Sequence, residues 1–311
     1  MRADAAMARL TRTVPELAKW RAYLELCKPK VVALLVFTSM VGMFLSVPGL
    51  VPVGPFVLGT LGIGLASASA AALNHVLDRE ADARMKRTGR RPLPSGALDA
   101  RRSVVFAAAV GAVAMFVLAA WVNVLTAILT FASMIGYAVI YTLYLKRATP
   151  QNIVIGGAAG AMPPVLGWAA ITGTVPAQAL LLFLIIFVWT PPHFWALALH
   201  KRDEYANVDI PMLPVTHGEA LTRLHILLYT ILLVVVTIMP YLVGMSGPLY
   251  LAAAIGLGGR FLQHAWRMWR RADNGLAMRT FLYSITYLMG LFAALLFDHY
   301  LPLALSAFHG G

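Results

Sequence analysis

The sequence predicts an all-α membrane protein, a polytopic bundle of about nine transmembrane helices, on three observations. Of its 311 residues 60% are hydrophobic and 12% charged, whereas a soluble domain has nearer half and a quarter; the mean hydropathy is +0.75. Apolar windows of the roughly 20 residues that cross a bilayer core fall near 31–47, 53–73, 103–122, 124–145, 153–172, 177–199, 224–243, 249–266 and 277–297. Threading nine spans from the N-terminus then brings all 25 Lys and Arg to one side, with Arg260 inside span eight but toward that side. By the positive-inside rule that side is the cytoplasm. A net charge of +12 therefore describes orientation and an anionic leaflet or ligand, and nucleic acid is excluded as a partner.

The elements follow from this threading. A tail over 1–30 mixes acids with bases and has no apolar core, so no cleavable signal peptide is expected and the default home is a bacterial inner membrane. One transmembrane domain covers 31–299, and a C-terminal tail over 300–311 ends on the periplasmic face. Spans one and two are joined by a short Pro/Gly turn, as are the other far-side connections, where Asp298 is the one acid. The longer, charged loops 74–102 and 200–223 follow spans two and six, which makes those spans candidate counterparts in a repeated four-helix unit. Spans three and four share the apolar stretch 103–145. Span five carries Gly156, Gly157 and Gly160, then Pro163-Pro164, and span six is interrupted by Pro191-Pro192. Interrupted helices are tolerated at membrane depth where they line a cavity. The single cysteine, Cys27, excludes an intrachain disulfide and a cysteine-built metal site; a small apolar residue near a helix start is its simplest role.

Polar groups at membrane depth are costly and mark function. Asn74, Asp78 and Asp82 are spaced i, i+4, i+8, which puts two carboxylates and an amide along one helix face. Such hard oxygen donors suit Mg²⁺, which keeps waters and bridges to phosphate. Lys86, Arg87, Arg90 and Arg91 follow directly, and guanidinium groups beside metal-ligand acids suit a diphosphate. Asp203 and Asp209 are six apart; one regular helix would not align them. A bend at Pro211 and Pro214 would turn both toward one metal, and an ordinary surface loop is the competing reading. Lys146 and Arg147, with Asn152 close by, read either as an interfacial anchor or as a second phosphate clamp. His193 lies beside the Pro191-Pro192 pair, either as a buried histidine bonded to a carbonyl or as a contact to an iron-bearing substrate. No Walker loop, dinucleotide fingerprint, HExxH or Ser/His/Asp order occurs, against ATPase, dehydrogenase, zinc protease and hydrolase chemistry.

These residues resemble the UbiA superfamily of intramembrane prenyltransferases, from about Lys28-Pro29 to the last span. Its first acidic motif is matched by Asn74, Asp78 and Asp82. The branch that farnesylates haem is matched by Arg87 to Arg91-Pro92-Leu93 and Gly96, Lys146-Arg147 to Asn152-Ile153, Pro163-Pro164 with Gly167-Trp168, Trp189 to Trp195, and Pro211 to Pro214. The second acidic motif departs from the superfamily's usual D-x-x-x-D, so Asp203 is a firmer ligand than Asp209. The resemblance implies farnesyl diphosphate and haem B as substrates, haem O and pyrophosphate as products, and Mg²⁺ as cofactor. It implies catalysis by Asp78, Asp82 and Asp203, with Asn74 and Asp209 completing the metal ligands. Arg87, Arg90, Arg91, Lys146, Arg147 and Asn152 would then bind diphosphate, and His193 would contact haem. A downstream haem-modifying enzyme or oxidase assembly is the implied recipient. A sister enzyme prenylating an aromatic quinone precursor is the nearest rival. A secondary transporter would place its acids at mid-membrane rather than at one interface.

Overall fold

A computed structural model describes residues 16–85, 88–208, 210–271 and 273–309. Among these there is no β-strand. The helices are α1 (Glu16–Leu26), α2 (Pro29–Leu45), α3 (Val53–Arg84), α4 (Ala100–Trp121), α5 (Val124–Ile135), α6 (Asn152–Ala161), α7 (Pro163–Thr172), α8 (Ala177–His200), α9 (Arg202–Ala206), α10 (Leu213–Thr216), α11 (Glu219–Leu242), α12 (Pro248–Arg270) and α13 (Asn274–His309). Between α5 and α6, residues Gly136–Leu145 wind as a π-helix, followed by one α turn at Lys146–Ala148.

Among the described residues, seven helices are long and apolar enough to cross a bilayer, or eight if α1 and α2, bent by 46°, form one span. The expected span that is missing from this set is the eighth, 249–266, which is α12. At 23 residues it is about 35 Å long, but Arg260, Gln263, His264 and Arg267 lower its hydropathy. The last helix does not stop at 299 and continues to His309.

Helix starts follow local chemistry. Asp99 accepts from the Arg102 N–H at 3.0 Å and Asn123 from the Thr126 N–H at 2.8 Å, capping donors that lipid cannot satisfy. Outward faces carry Val105, Phe116, Ile128, Phe131 and Leu282, all exposed, as a lipid-facing surface requires.

Small residues set the closest crossings. A Cβ on Gly42 would lie 2.1 Å from the Pro164 carbonyl oxygen, and one on Gly167 2.0 Å from that of Ser39. Helices α2 and α7 therefore meet backbone to backbone, a contact only glycine permits. The Gly156–Gly160 stretch divides its work: Gly156 makes room for the Tyr141 ring, Gly157 for Thr190, and Gly160 faces open space.

One expectation is corrected. Pro191 and Pro192 do not interrupt span six; both lie inside the continuous 24-residue α8. Proline removes a backbone donor, yet Val188, Trp189, Thr190, Pro191, Pro192 and His193 are all buried, and this packing holds the helix through the lost bonds.

Candidate active site

At 32 residues, α3 is about 48 Å long and overshoots a core of about 30 Å. Its last turns therefore carry polar residues at the interface. Asn74, Asp78 and Asp82 are all buried there, each at most 5% exposed, along one face of one cavity. The cations Lys28, Arg91 and Lys146 face them across it, with Tyr137, Tyr141, Phe194, Tyr205 and Met212 completing the wall.

The hydrogen bonds fix each donor. Lys146 Nζ donates to Asp78 Oδ2 at 2.7 Å, and Arg91 Nη1 to Asp82 Oδ2 at 2.7 Å. Lys28 Nζ donates to Asn74 Oδ1, while Asn74 Nδ2 donates to Asp78 Oδ2 at 2.9 Å and to Thr142 Oγ1 at 3.2 Å. The Thr142 hydroxyl gives its own proton to the Tyr137 carbonyl at 2.8 Å, so it only accepts from Asn74. That settles the amide orientation and leaves Oδ1 toward the cations. Three cations against two carboxylates make the lining net positive. A buried carboxylate paired with a cation is stable only in such company.

Two local features place these groups. Lys28 adopts φ 49°, ψ 60°, the one non-glycine residue of positive φ among the described residues. The αR region is disfavoured for it by the following Pro29, and the turn between α1 and α2 carries it into the cavity. The π-helical winding of Gly136–Leu145 brings Tyr137, Tyr141 and Thr142 to the site from one segment, the two tyrosines stacked at 5.7 Å and 19°. Wide turns of this kind are rare and gather at functional sites.

The sequence-derived residues distribute unevenly. Asn74, Asp78, Asp82, Arg91 and Lys146 converge. Arg90 and Arg147 are exposed and do not line the cavity. Asp203 is exposed on α9, and its neighbour Tyr205 lines the cavity instead. Arg87 and Asp209 lie outside the described residues. Asn152 is fully buried and donates through Nδ2 to the Thr149 carbonyl at 2.8 Å; it holds the start of α6, next to the lining residue Ile153. His193 is buried between Trp189 and Phe281, at ring distances of 4.2 and 4.5 Å, with Nδ1 2.6 Å from Ser284 Oγ; its neighbour Phe194 reaches the cavity. Among the described residues no group of three or more His, Cys, Asp or Glu could hold a metal. The donor set is two carboxylates and an amide. Those oxygens fit a hard cation that retains waters and takes further oxygens from a phosphate. Lys28, Tyr137, Phe194 and Met212 are lining residues to which sequence reasoning gave no role; the Lys28-Pro29 pair, the Trp189 to Trp195 run and the Pro211 to Pro214 run carried the signal for three of them, and Tyr137 had none.

Residues 35–304 match the model of the UbiA prenyltransferase family. The chain belongs to the UbiA prenyltransferase family. Among relatives of this UbiA chain, the protoheme IX farnesyltransferase of Methylococcus capsulatus is 66% identical over 91% of the chain and 95% of its own length. That of Nitrosococcus oceani is 60% identical over 95% and 99%. A structure concerning digeranylgeranylglyceryl phosphate synthase in membranes superposes with TM-score 0.76 at 17% identity, covering 90% of this chain and 98% of that one. A UbiA homolog from Archaeoglobus fulgidus, bound to GPP and Mg²⁺, gives 0.60 at 16% identity, covering 88% and 99%. These likenesses show the UbiA fold, a multi-pass membrane bundle.

Proposed function

We propose that the chain transfers the farnesyl group of farnesyl diphosphate to a vinyl group of haem B, with addition of water, giving haem O and pyrophosphate. The observation that carries this reading is the 66% identity to a protoheme IX farnesyltransferase over nine-tenths of the chain. The oxygen-donor stripe faced by three cations in one cavity supports it.

Asn74 Oδ1, Asp78 and Asp82 would hold Mg²⁺, which when bound supplies Lewis-acid neutralisation of the diphosphate. Asp203 and Asp209, from the far acidic loop, are assigned to a second, outer ligand position. Lys28, Arg91 and Lys146 bind the diphosphate oxygens and fix its orientation, with the exposed Arg90 and Arg147 outside them as an entry field; Arg87 is assigned to the diphosphate from its motif alone. The C1–O bond of the allylic ester breaks with its electron pair leaving on pyrophosphate, and these cations stabilise the growing negative charge. The Tyr137–Tyr141 stack, Phe194 and Met212 keep water from the allylic cation. The vinyl π electrons then form the new C–C bond at C1. Water adds to the resulting cation and loses a proton, leaving a hydroxyl.

His193 is assigned as the contact to haem. Ser284 Oγ donates its one proton to the Phe281 carbonyl at 2.6 Å, so His193 Nδ1–H is the donor to Oγ and Nε2 keeps the lone pair iron takes. The Lys/Arg distribution supports a cytoplasmic N-terminus and cytoplasmic acidic loops in a bacterial inner membrane, with a periplasmic C-terminus. A downstream haem-modifying enzyme or oxidase assembly receives the product.

Membranes containing the protein, incubated with haem B, farnesyl diphosphate and Mg²⁺, are expected to yield a more hydrophobic haem on reversed-phase separation. Absence of conversion together with prenylation of 4-hydroxybenzoate would overturn the haem assignment.

A further inference from the structure

On α12, which packs against α11 and α13, the C-terminal half carries an outward polar stripe that the reaction does not use. Arg260, Arg267 and Arg270 are exposed along it, and Arg279 is exposed on the adjoining turn of α13. Between them lies His264, stacked on Tyr283 of α13 at 4.9 Å and 18°. Arg260, His264 and Arg267 are spaced i, i+4, i+7 and so share one face of α12, with Arg279 exposed on the neighbouring helix. Among the described residues none of the four arginines forms an ion pair. The nearby acid, Asp273, has its Oδ1 occupied by the Gly275 N–H at 2.7 Å.

This is more than the usual basic margin of a membrane helix. Arg260 sits ten residues before Arg270, the last residue of α12, about 15 Å deeper along the axis, and its guanidinium donates to Gln263. An outward Arg at such depth demands an anion or water beside it. Trp266 and Trp269, also exposed, flank the interfacial end, with Arg270 5.7 and 6.0 Å over their rings. Tryptophans mark the headgroup level. The occupant is thus amphiphilic and anionic, with its charged group drawn between α12 and α13 and its apolar part along the exposed leucine and isoleucine surface below. A second copy of the chain is a poor occupant, because a two-fold contact would set the same arginines against each other.

We propose that the surface patch of Arg260, His264, Arg267, Arg279 and Tyr283 is a binding site for the headgroup phosphate of an anionic phospholipid. Arginine chelates phosphate through paired N–H groups, which a diffuse leaflet attraction does not need.

The test uses the full-length protein in neutral phosphatidylcholine nanodiscs, titrated with phosphatidylglycerol and read by native mass spectrometry and thermal stability. R260Q/R267Q/R279Q is expected to weaken phosphatidylglycerol binding at least about tenfold. R101Q/R102Q, which removes two exposed cations near the start of α4, is expected to change it less than about twofold. Equal losses in the two variants would reduce the site to general leaflet attraction and overturn the proposal. Haem B displacing the lipid from wild type but not from the triple variant would also overturn it. Should the glutamine variant not fold, R260K/R267K/R279K keeps the charge and loses the paired geometry; about threefold weaker binding is expected, and unchanged binding refutes the site.

Discussion

Replacing Asp78 with Asn removes one charge at nearly constant shape, and the structure says what that leaves behind. Asp78 Oδ2 accepts from Lys146 at 2.7 Å and from Asn74 at 2.9 Å. Its side chain is 6% exposed and that of Lys146 15%. Removing one partner of a buried pair costs about 3–5 kcal/mol, mostly for the stranded charge. Partial access of water to Lys146 places the expected loss near the lower end, about 3 kcal/mol. The effect on turnover has a different cause, loss of a ligand to the metal and of the orientation it imposes. Electrostatic groups of this kind contribute roughly 100- to 1000-fold to kcat. The D78N/K146M double variant separates the two. Removing both charges is expected to restore stability to within about 1 kcal/mol of wild type while leaving turnover as low as in D78N or lower. Haem conversion by reversed-phase separation and unfolding followed in detergent measure the two quantities. Turnover in D78N within about threefold of wild type would refute the assignment of α3 as the ionising wall.

Four further outcomes follow from the same geometry. Arg91→Lys keeps the charge opposite Asp82 but not the fork, and is expected to raise KM for farnesyl diphosphate about tenfold with a smaller change in kcat, read from initial rates. Asp203→Asn, exposed and off the cavity wall, is expected to reduce turnover at least tenfold less than D78N in the same assay. Gly167→Ala drives a Cβ to 2.0 Å from the Ser39 carbonyl oxygen; the backbone has no rotamer to yield, and overpacking of about 1–3 kcal/mol or more is expected as a lowered unfolding midpoint. Ser284→Ala frees His193 Nδ1 from its partner, and is expected to perturb the Soret band of added haem B if Nε2 meets the iron; an unchanged spectrum removes His193 from the acceptor site.

The architecture was legible because a bilayer leaves few options. Apolar length sets the spans and Lys/Arg asymmetry sets their order, and eight of nine windows reappear as apolar helices or a bent helix pair. The remaining one, α12, shows what the method cannot weigh: its arginines lower the hydropathy of a helix whose other face, Tyr250, Phe261 and Met268, is buried. At the site, Asn74, Asp78 and Asp82 were readable because their period matches one helix face. Lys146 was readable only as one of two undecided basics, since its role depends on α5 leaning toward α3. Lys28 was counted as tail charge because nothing in sequence announces a left-handed turn before proline. Pro191-Pro192 misled because sequence records the donors proline removes and not the packing that replaces them.

The wide winding of Gly136–Leu145 has a consequence for anyone tempted to shorten the chain. Such a stretch arises when a helix holds a surplus residue that neighbours will not let it expel. Deleting that surplus residue would let the coil relax to ordinary pitch while the flanking turns keep their register. Tyr137, Tyr141 and Thr142 would then no longer reach the cavity together, and a single missing amino acid would take apart a wall that no single side-chain replacement removes.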